Sequence, residues 1–191
     1  MVKLDLSKIP DDEKMRELIL YICSRSAGDQ AFGATKLNKL LFYADFLAYR
    51  QFGRSMTRHV YQRLPNGPAP RAIMPILKGM EQTGEVAFGE LSYHGKKQKR
   101  TYALRDANLA AFTADEIALV DAILCECAGV NATQISAMSH DFLGWQLAEN
   151  GEEIPYEVSL VDFGQPSHDK IDSALAAKLR PIVKECLGND R

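Results

Sequence analysis

The chain has 191 residues, 46% of them hydrophobic and 25% charged, and a formal net charge of −2. This is the composition of an ordinary globular protein, long enough for one domain or for two small ones packed together. The sequence has no apolar run of the roughly 18 residues that a membrane-spanning helix requires, and its start lacks the apolar stretch of a secretory signal. We therefore expect a cytoplasmic protein without a membrane partner.

The four cysteines, Cys23, Cys125, Cys127 and Cys186, are scattered along the chain. Cys125 and Cys127 are two residues apart on a predicted helix, so their side chains point about 200° apart and cannot pair with each other. No Cys-x-x-Cys motif or Cys/His pair has the spacing of a zinc site. We predict free thiols, no metal and no cofactor.

Charge is distributed unevenly along the chain. Residues 1–105 carry 18 Lys and Arg against 10 Asp and Glu, whereas residues 106–169 carry 12 acidic side chains and no Lys or Arg. Two interpretations stay open. Either the acidic part packs beside the basic part and each neutralises the other, or an acidic face attracts a basic partner.

The N-terminal part predicts two helices. The first covers residues 11–26, where acidic residues at the start suit the positive end of the helix dipole. The second runs from an N-cap at Thr35 to a stop at Gly53. Its apolar residues recur at steps of three and four and define one buried face: Leu37, Leu40, Leu41, Ala44, Leu47 and Ala48.

A strand, a loop and a third helix are predicted next. β-branched and aromatic residues indicate a strand over residues 59–64, and the three prolines of residues 65–70 indicate a rigid loop after it. The third helix covers residues 71–83, with Pro75 in its first turns, where a missing N–H matters least.

A β-hairpin is predicted from the alternation in residues 85–93 and 100–104, with its tip at residues 94–99. A basic hairpin that follows helices and a strand resembles the wing of a winged-helix layout. The side chains predicted to be buried in the hairpin are Val86, Phe88, Leu91, Tyr102 and Leu104.

The C-terminal half is predicted to be mainly helical. Thr113 and Glu116 have the spacing of a capping box at the start of one helix. Short helical segments over residues 132–139 and 142–150, an extended segment over residues 154–163 and a last helix over residues 169–187 follow. The elements together predict an α+β fold, predominantly helical, with a small antiparallel sheet or hairpin.

Three stretches of the sequence carry a family resemblance. They are residues 35–57, TKLNKLLFYADFLAYRQFGRSMT, residues 61–70, YQRLPNGPAP, and residues 112–157, which begin FTADEIALVDAIL and include SAMSHDFLGW. In this order they resemble the Panacea domain of SocA-like antitoxins: a Lys-Leu-x-Lys-Leu-Leu-x-Tyr-x-Asp-type helix, a Gly-Pro loop, and a Phe-Thr-x-x-Glu helix followed by a Ser-His turn and a Trp. Asn38 and Met138 depart mildly from the family pattern.

The resemblance implies a helix-rich α+β domain of bacterial and phage toxin–antitoxin pairs. Members of the family bind and silence unrelated toxins, usually encoded by the adjacent gene, either by occlusion or by delivery to a protease. We expect a non-enzymatic antitoxin with a single Panacea-like domain over residues 1–191. A basic helix and strand part, residues 1–105, would pack against an acidic helical part, residues 106–191.

Ser139, His140 and Asp141 have the residue types of a hydrolytic triad. Three consecutive side chains cannot converge on each other, and no Gly-x-Ser-x-Gly elbow is present. We expect His140 to stabilise by hydrogen bonding the turn before Trp145, and Trp145 to lie in the core.

Eight residues are candidate contacts for the toxin because they lie in the motifs or in the acidic stretch: Lys39, Tyr43, Asp45, Asn66, Pro68, Glu149, Glu152 and Glu153. Lys39 and Tyr43 lie one helical turn apart, with Asp45 nearby. We favour a buried Tyr–Asp hydrogen-bond network there, and the alternative is a contact patch for the partner. The acidic residues would attract a basic toxin.

A second hypothesis assigns nucleic-acid binding to the predicted hairpin tip. Lys96, Lys97, Lys99 and Arg100 would grip phosphates there, as in a winged-helix-like DNA-binding regulator. Such a charge run is usually a solvated turn, and no predicted helix is rich in the Arg, Asn or Gln that read bases. We therefore favour the antitoxin hypothesis over this one.

Overall fold

The computed structural model describes residues 10–162. Helices predominate and the strands form two small antiparallel sheets, which confirms the predicted α+β fold class. The predicted helix over residues 169–187 and Cys186 lie outside the described residues. In chain order the elements are α1 (Asp12–Arg25), α2 (Ala34–Phe52), β1 (Tyr61–Gln62), β2 (Ala69–Pro70), α3 (Ile73–Gln82), β3 (Val86–Tyr93), β4 (Lys96–Ala103), α4 (Ala114–Glu126), α5 (Ala132–His140), α6 (Leu143–Leu147), β5 (Glu153–Ile154) and α7 (Ser159–Asp162).

Helix α2 lies at the centre of the core and contributes to two hydrophobic clusters. Its leucines join the larger cluster, with residues from α1, α3 and α4. Phe42 and Phe46 form the smaller, aromatic cluster with Tyr61, Phe142 and Tyr156. Burying one such ring contributes about 2 to 3 kcal/mol. The aromatic cluster therefore fixes the segments around Phe142 and Tyr156 to the N-terminal part of the chain.

Helix α2 ends where the sequence predicts but begins earlier. Gly53 ends the helix in the left-handed conformation, with φ +71°, as predicted. The N-cap is Gly33 rather than Thr35. The backbone of Gly33 is extended and its carbonyl accepts the Leu37 N–H at 2.9 Å, so the helix begins before the threonine.

A small sheet in the order β2-β1-β5 joins the N-terminal part to the C-terminal part. Tyr61 pairs with Pro70 on one side and with Ile154 on the other. The strands are shorter than predicted, and the extended segment predicted over residues 154–163 is wrong for residues 156–162. The chain turns there into a 3₁₀ turn at Tyr156–Val158 and then α7, because Tyr156 packs into the aromatic cluster and its hydroxyl donates to the His59 carbonyl oxygen at 2.5 Å.

The hairpin has a shorter turn than the sequence predicts. β3 and β4 pair over their whole length, from Val86 opposite Ala103 to Tyr93 opposite Lys96. Only His94 and Gly95 connect them, and both have positive φ, at 48° and 74°. Positive φ at both positions is the geometry of a tight two-residue turn. The predicted six-residue tip is therefore wrong, since four of its residues belong to β4.

Most of the side chains predicted to be buried in the hairpin are exposed. Val86 is buried, whereas the other four are 37–58% exposed. The inward positions of β4 are taken by Arg100 and Thr101, which are 5% and 4% exposed. The Arg100 guanidinium donates to the carbonyl oxygens of Ser26 and Ala27, at 2.8 Å each, and to that of Asp29. Arg100 is therefore hydrogen-bonded to the carbonyl oxygens that follow α1, and its guanidinium, predicted to contact phosphates, faces the interior.

The acidic helix α4 packs on α1 through polar contacts as well as apolar ones. Its capping box of Thr113 and Glu116 is present as predicted. The Lys14 ammonium contacts the Glu116 carboxylate at 2.8 Å, and the Tyr21 hydroxyl donates to Asp121 at 2.7 Å. This part of the acidic stretch neutralises the basic part from within the molecule.

Candidate partner-binding site

The three-stranded sheet brings the loop after β1 beside the turn before β5. Beyond the Gln62–Glu153 pair, the Arg63 N–H donates to the Glu152 carbonyl oxygen at 2.9 Å, and the Gly151 N–H donates to the Arg63 carbonyl oxygen at 2.8 Å. The loop that carries Asn66 therefore lies next to the turn that carries the glutamates.

Carboxylates extend from this turn into solvent. Glu149 and Glu153 are exposed, and Asn66 is exposed in the neighbouring loop. Glu152 is half-buried, and its Oε2 accepts the Glu149 N–H at 2.6 Å. We call the surface formed by Asn66, Glu149, Glu152 and Glu153 the acidic edge. The structure thus brings four of the eight predicted contacts onto one surface.

The other four predicted contacts face the interior. Lys39 and Asp45 are 2% and 0% exposed, and Pro68 is buried. Tyr43 is half-buried and packs against both hydrophobic clusters. The side chains of Lys39, Asp45 and Pro68, predicted as partner contacts, therefore do not reach the surface of this structure.

Asp45 lies at the centre of a buried hydrogen-bond network. Its Oδ1 accepts the Thr57 N–H at 2.8 Å, and its Oδ2 accepts the hydroxyls of Thr57, at 2.5 Å, and Tyr61, at 2.8 Å. Burial raises the pKa of Asp45, although these hydrogen bonds act in the opposite direction. The Tyr61 hydroxyl has a single proton but also lies 2.9 Å from the Leu41 carbonyl oxygen. That one proton is therefore shared between Asp45 Oδ2 and the Leu41 carbonyl oxygen.

The predicted Tyr–Asp network therefore exists with a different tyrosine. Tyr61, and not Tyr43, donates to Asp45. Tyr61 is 16 residues from Asp45 and belongs to another element, so helical periodicity gives no signal for this pair.

Lys39 anchors the loop of residues 65–70 from its buried side by a hydrogen bond. Its ammonium donates to the Pro68 carbonyl oxygen at 2.8 Å, and burial lowers the pKa of Lys39 to about 8. Gly67 has φ +98°, and a Cβ there would lie 2.6 Å from Lys39 Cε and 2.2 Å from Ser139 Oγ. Only glycine fits this position, because the loop packs closely against Lys39 of α2 and Ser139 of α5.

Trp145 stacks with His140 and Arg63 beside the acidic edge. Its ring lies parallel to that of His140, with centroids 3.9 Å apart and an interplanar angle of 12°, and the Arg63 guanidinium carbon lies 4.4 Å from its centroid. The indole N–H donates to the Leu64 carbonyl oxygen at 2.9 Å. Trp145 is half-buried against the aromatic cluster, and its stacking with Arg63 gives no sequence signal.

His140 stabilises the turn by ring stacking, and a hydrolytic triad is not assembled around it. Ser139 is fully buried and its hydroxyl donates to the Ser136 carbonyl oxygen at 2.8 Å. Burial lowers the pKa of His140, and the nearby charges of Lys39 and Arg63 lower it further. Its Nε2 is buried and has no hydrogen-bond partner among the described residues.

Across residues 10–162, no group of three or more His, Cys, Asp or Glu side chains is placed to hold a metal ion. No helix in the same part of the chain is long and apolar enough to cross a membrane. Cys23 and Cys127 are buried free thiols, and Cys125 is an exposed one.

Comparison with known protein families gives one match. The family model described as antitoxin SocA-like, Panacea domain, matches residues 37–146. The chain belongs to this antitoxin family. No curated protein and no solved structure matches the chain. The matched range holds α2 from Leu37 onward, the Gly67 loop and Trp145, whereas Glu149, Glu152 and Glu153 follow it.

Proposed function

We propose that this antitoxin neutralises a toxin by binding it directly and that the acidic edge is the surface that the toxin contacts. Family membership is the observation that carries the proposal. The partner is a cognate toxin encoded by the adjacent gene, and both act in the cytoplasm. Neutralisation is stoichiometric and involves no catalytic step by this chain.

Charge favours the acidic edge over the carboxylates of α4 that face α1. Glu116 is 2% exposed and contacts Lys14, and Asp121 contacts Arg25 at 3.4 Å as well as Tyr21. The side chains of Glu149 and Glu153 are exposed at the acidic edge. Exposed carboxylates raise the rate at which a basic partner arrives more than they deepen its affinity. A toxin with a basic surface is the partner that fits.

Arg63 and Trp145, beside the acidic edge, have fixed orientations. Arg63 and Trp145 belong to the residue types that contribute most to binding interfaces, and both are half-buried next to the turn of Glu149. Their stacking and the hydrogen bond from Trp145 to Leu64 fix their orientation. A partner would therefore meet a pre-ordered surface, which reduces the entropy lost on binding.

Co-expression with the product of the adjacent gene tests the proposal. We expect that product to stop growth when expressed alone, to be tolerated with this antitoxin, and to be retained with it on an affinity column. A harmless neighbour that is not retained would contradict the proposal.

Charge reversal locates the surface. Glu149→Lys with Glu153→Lys should slow association with the toxin by about tenfold or more at low ionic strength. The matched control is Glu81→Lys with Glu126→Lys, which makes the same charge change at exposed positions of α3 and α4. Equal association rates for the two variants would show that the acidic edge is not the contact surface.

Delivery to a protease is the alternative mode of neutralisation. Occlusion leaves the half-life of the toxin unchanged or longer when the antitoxin is present, whereas delivery shortens it. Measuring that half-life in cells with and without their main cytoplasmic proteases separates the two modes.

A further inference from the structure

A groove of about 650 Å³ lies between the hairpin and the first turns of α2 and α5. The charged side chains that line it are Lys96, Lys97 and Lys99 of β4, and no Asp or Glu is among its lining residues. All three lysines are exposed. Lys97 contacts Glu90 at 2.9 Å, but a pair between such exposed side chains is worth less than about 1 kcal/mol and gives way easily. The groove therefore favours an anionic occupant.

The two helices that open into the groove add to its positive potential. Neither α2 nor α5 has an acidic residue in its first turn. Asn131 caps the N–H groups of Thr133 and Gln134 in α5, whereas the N-cap Gly33 offers no side chain to the N–H groups of α2. α1 and α4, in contrast, begin with acidic residues. A helix N-terminus without its own anion stabilises one that comes from outside.

The walls of the groove are held in place before any ligand arrives. Arg100, the residue after Lys99, is anchored at the end of α1 by three carbonyl oxygens. The Gln98 amide donates to the Gln30 carbonyl oxygen at 3.3 Å, and a Cβ on Gly33 would lie 2.7 Å from Gln98 Cγ. The hairpin thus packs closely on the start of α2. Gln98 Oε1 is buried and accepts no hydrogen bond from the described residues.

We propose that this groove binds single-stranded nucleic acid through its phosphates, as a second binding activity separate from toxin neutralisation. Lysines at a concave surface follow a phosphate backbone, and the neighbouring rings of Tyr93 and His94, which also line the groove, offer faces for a base. An acidic peptide would leave those rings unused. A duplex needs a helix or ribbon that projects into its grooves, whereas these lysines line a depression.

Fluorescence anisotropy with labelled single-stranded DNA and RNA of about 12 nucleotides tests the proposal on the full chain. Because three lysines neutralise about three phosphates, affinity should fall roughly 15- to 20-fold between about 50 and 200 mM salt. Absence of binding at about 50 mM salt would overturn the proposal. Tighter binding of a duplex of the same length, or equal displacement by oligoglutamate of the same charge, would also overturn it.

A variant with Lys96→Ala, Lys97→Ala and Lys99→Ala should lose about tenfold or more in affinity and most of its salt dependence. The matched control removes three exposed cations elsewhere, with Arg54→Ala, Arg71→Ala and Lys78→Ala. We expect the control to bind within about twofold of the unmodified protein. Equal losses in both variants would mean that net charge, and not the groove, binds the strand.

Ala34→Glu gives a test that loss of folding cannot mimic. Ala34 is the exposed first residue of α2, where a carboxylate stabilises the helix while it repels phosphates in the groove. We expect weaker strand binding together with an unchanged or higher unfolding midpoint. Unchanged binding would overturn the proposal. Toxin neutralisation should survive Ala34→Glu, and strand binding should survive Glu149→Lys with Glu153→Lys, so the two proposals can fail independently.

Discussion

Lys39 is a buried cation whose ammonium has a carbonyl oxygen, and not a carboxylate, as its hydrogen-bond acceptor. With the pKa of Lys39 lowered from 10.5 to about 8, the native state binds fewer protons than the unfolded state between these pH values. The stability contributed at this site therefore rises as pH rises from 8 toward 10.5. We compare the unmodified protein with a Lys39→Met variant. The unfolding free energy of the unmodified protein minus that of the variant should increase by roughly 1.5 kcal/mol between pH 8 and 9.5.

The difference between the two proteins, measured by urea unfolding, is the quantity to follow. Burial raises the pKa of Cys23 to about 12. Above the ordinary pKa of a thiol, this shift lowers the free energy of unfolding as pH rises, opposite to the effect of Lys39. Because Cys23 is present in both proteins, its effect cancels in the difference between them. A difference that stays constant with pH would show that Lys39 is not held at a lowered pKa.

His140 can be followed directly because it stacks on Trp145, the one tryptophan of the chain. A protonated imidazole against the indole changes its fluorescence, so a pH titration reports the ionisation of His140. We predict a midpoint below 6.5, since burial and two nearby cations lower the pKa of His140. A His140→Gln variant should show no such transition. A midpoint at or above 6.5 would contradict the burial described for this ring.

At the scale of elements, the loop of residues 65–70 depends on Gly67. A Gly67→Ala change combines an unfavourable positive φ with a clash against Ser139 and Lys39. We predict a loss of about 3 kcal/mol in the free energy of unfolding. Gly53→Ala is the control, because it has a similar positive φ but open space around it, and should cost about 1 kcal/mol. Equal losses by urea unfolding would show that the loop does not rest on those side chains.

Helices with a cap and a periodic apolar face could be predicted from the sequence. α1, most of α2 and the capped start of α4 follow local rules, since a cap and the faces beside it lie within a few residues of each other. The hairpin and the segment after Ile154 could not. Arg100 takes an inward position only because the carbonyl oxygens at the end of α1 are there to bind it, and that contact joins residues 74 positions apart.

The candidate site was predicted in the same uneven way. The exposure of Glu149 and Glu153 could be predicted from charge, because carboxylates are seldom fully buried. Their contact with a toxin stays a prediction. Lys39 and Asp45 belong to the family motif but are buried, and their partners Pro68, Thr57 and Tyr61 come from other elements. A motif shows that residues matter without telling whether they face a partner or the core.

At the scale of the whole molecule, the basic part, residues 1–105, and the described acidic part, residues 106–162, contact each other. Lys14 with Glu116 links α1 to α4, and β5 pairs with β1. We therefore predict that the basic and acidic parts unfold in one transition. Trp145 fluorescence, which reports the acidic part, and far-ultraviolet circular dichroism should give the same midpoint. Two separate midpoints would divide the chain into independent units.

The central claim is that neutralisation is direct binding. The most direct test mixes purified antitoxin with the purified product of the adjacent gene, with no other cell component, and measures the mass of the eluting species by light scattering. We predict one complex with a fixed ratio of the two chains, both of full length. Separate elution of the two proteins, or a toxin that is cleaved or modified by catalytic amounts of this chain, would contradict it.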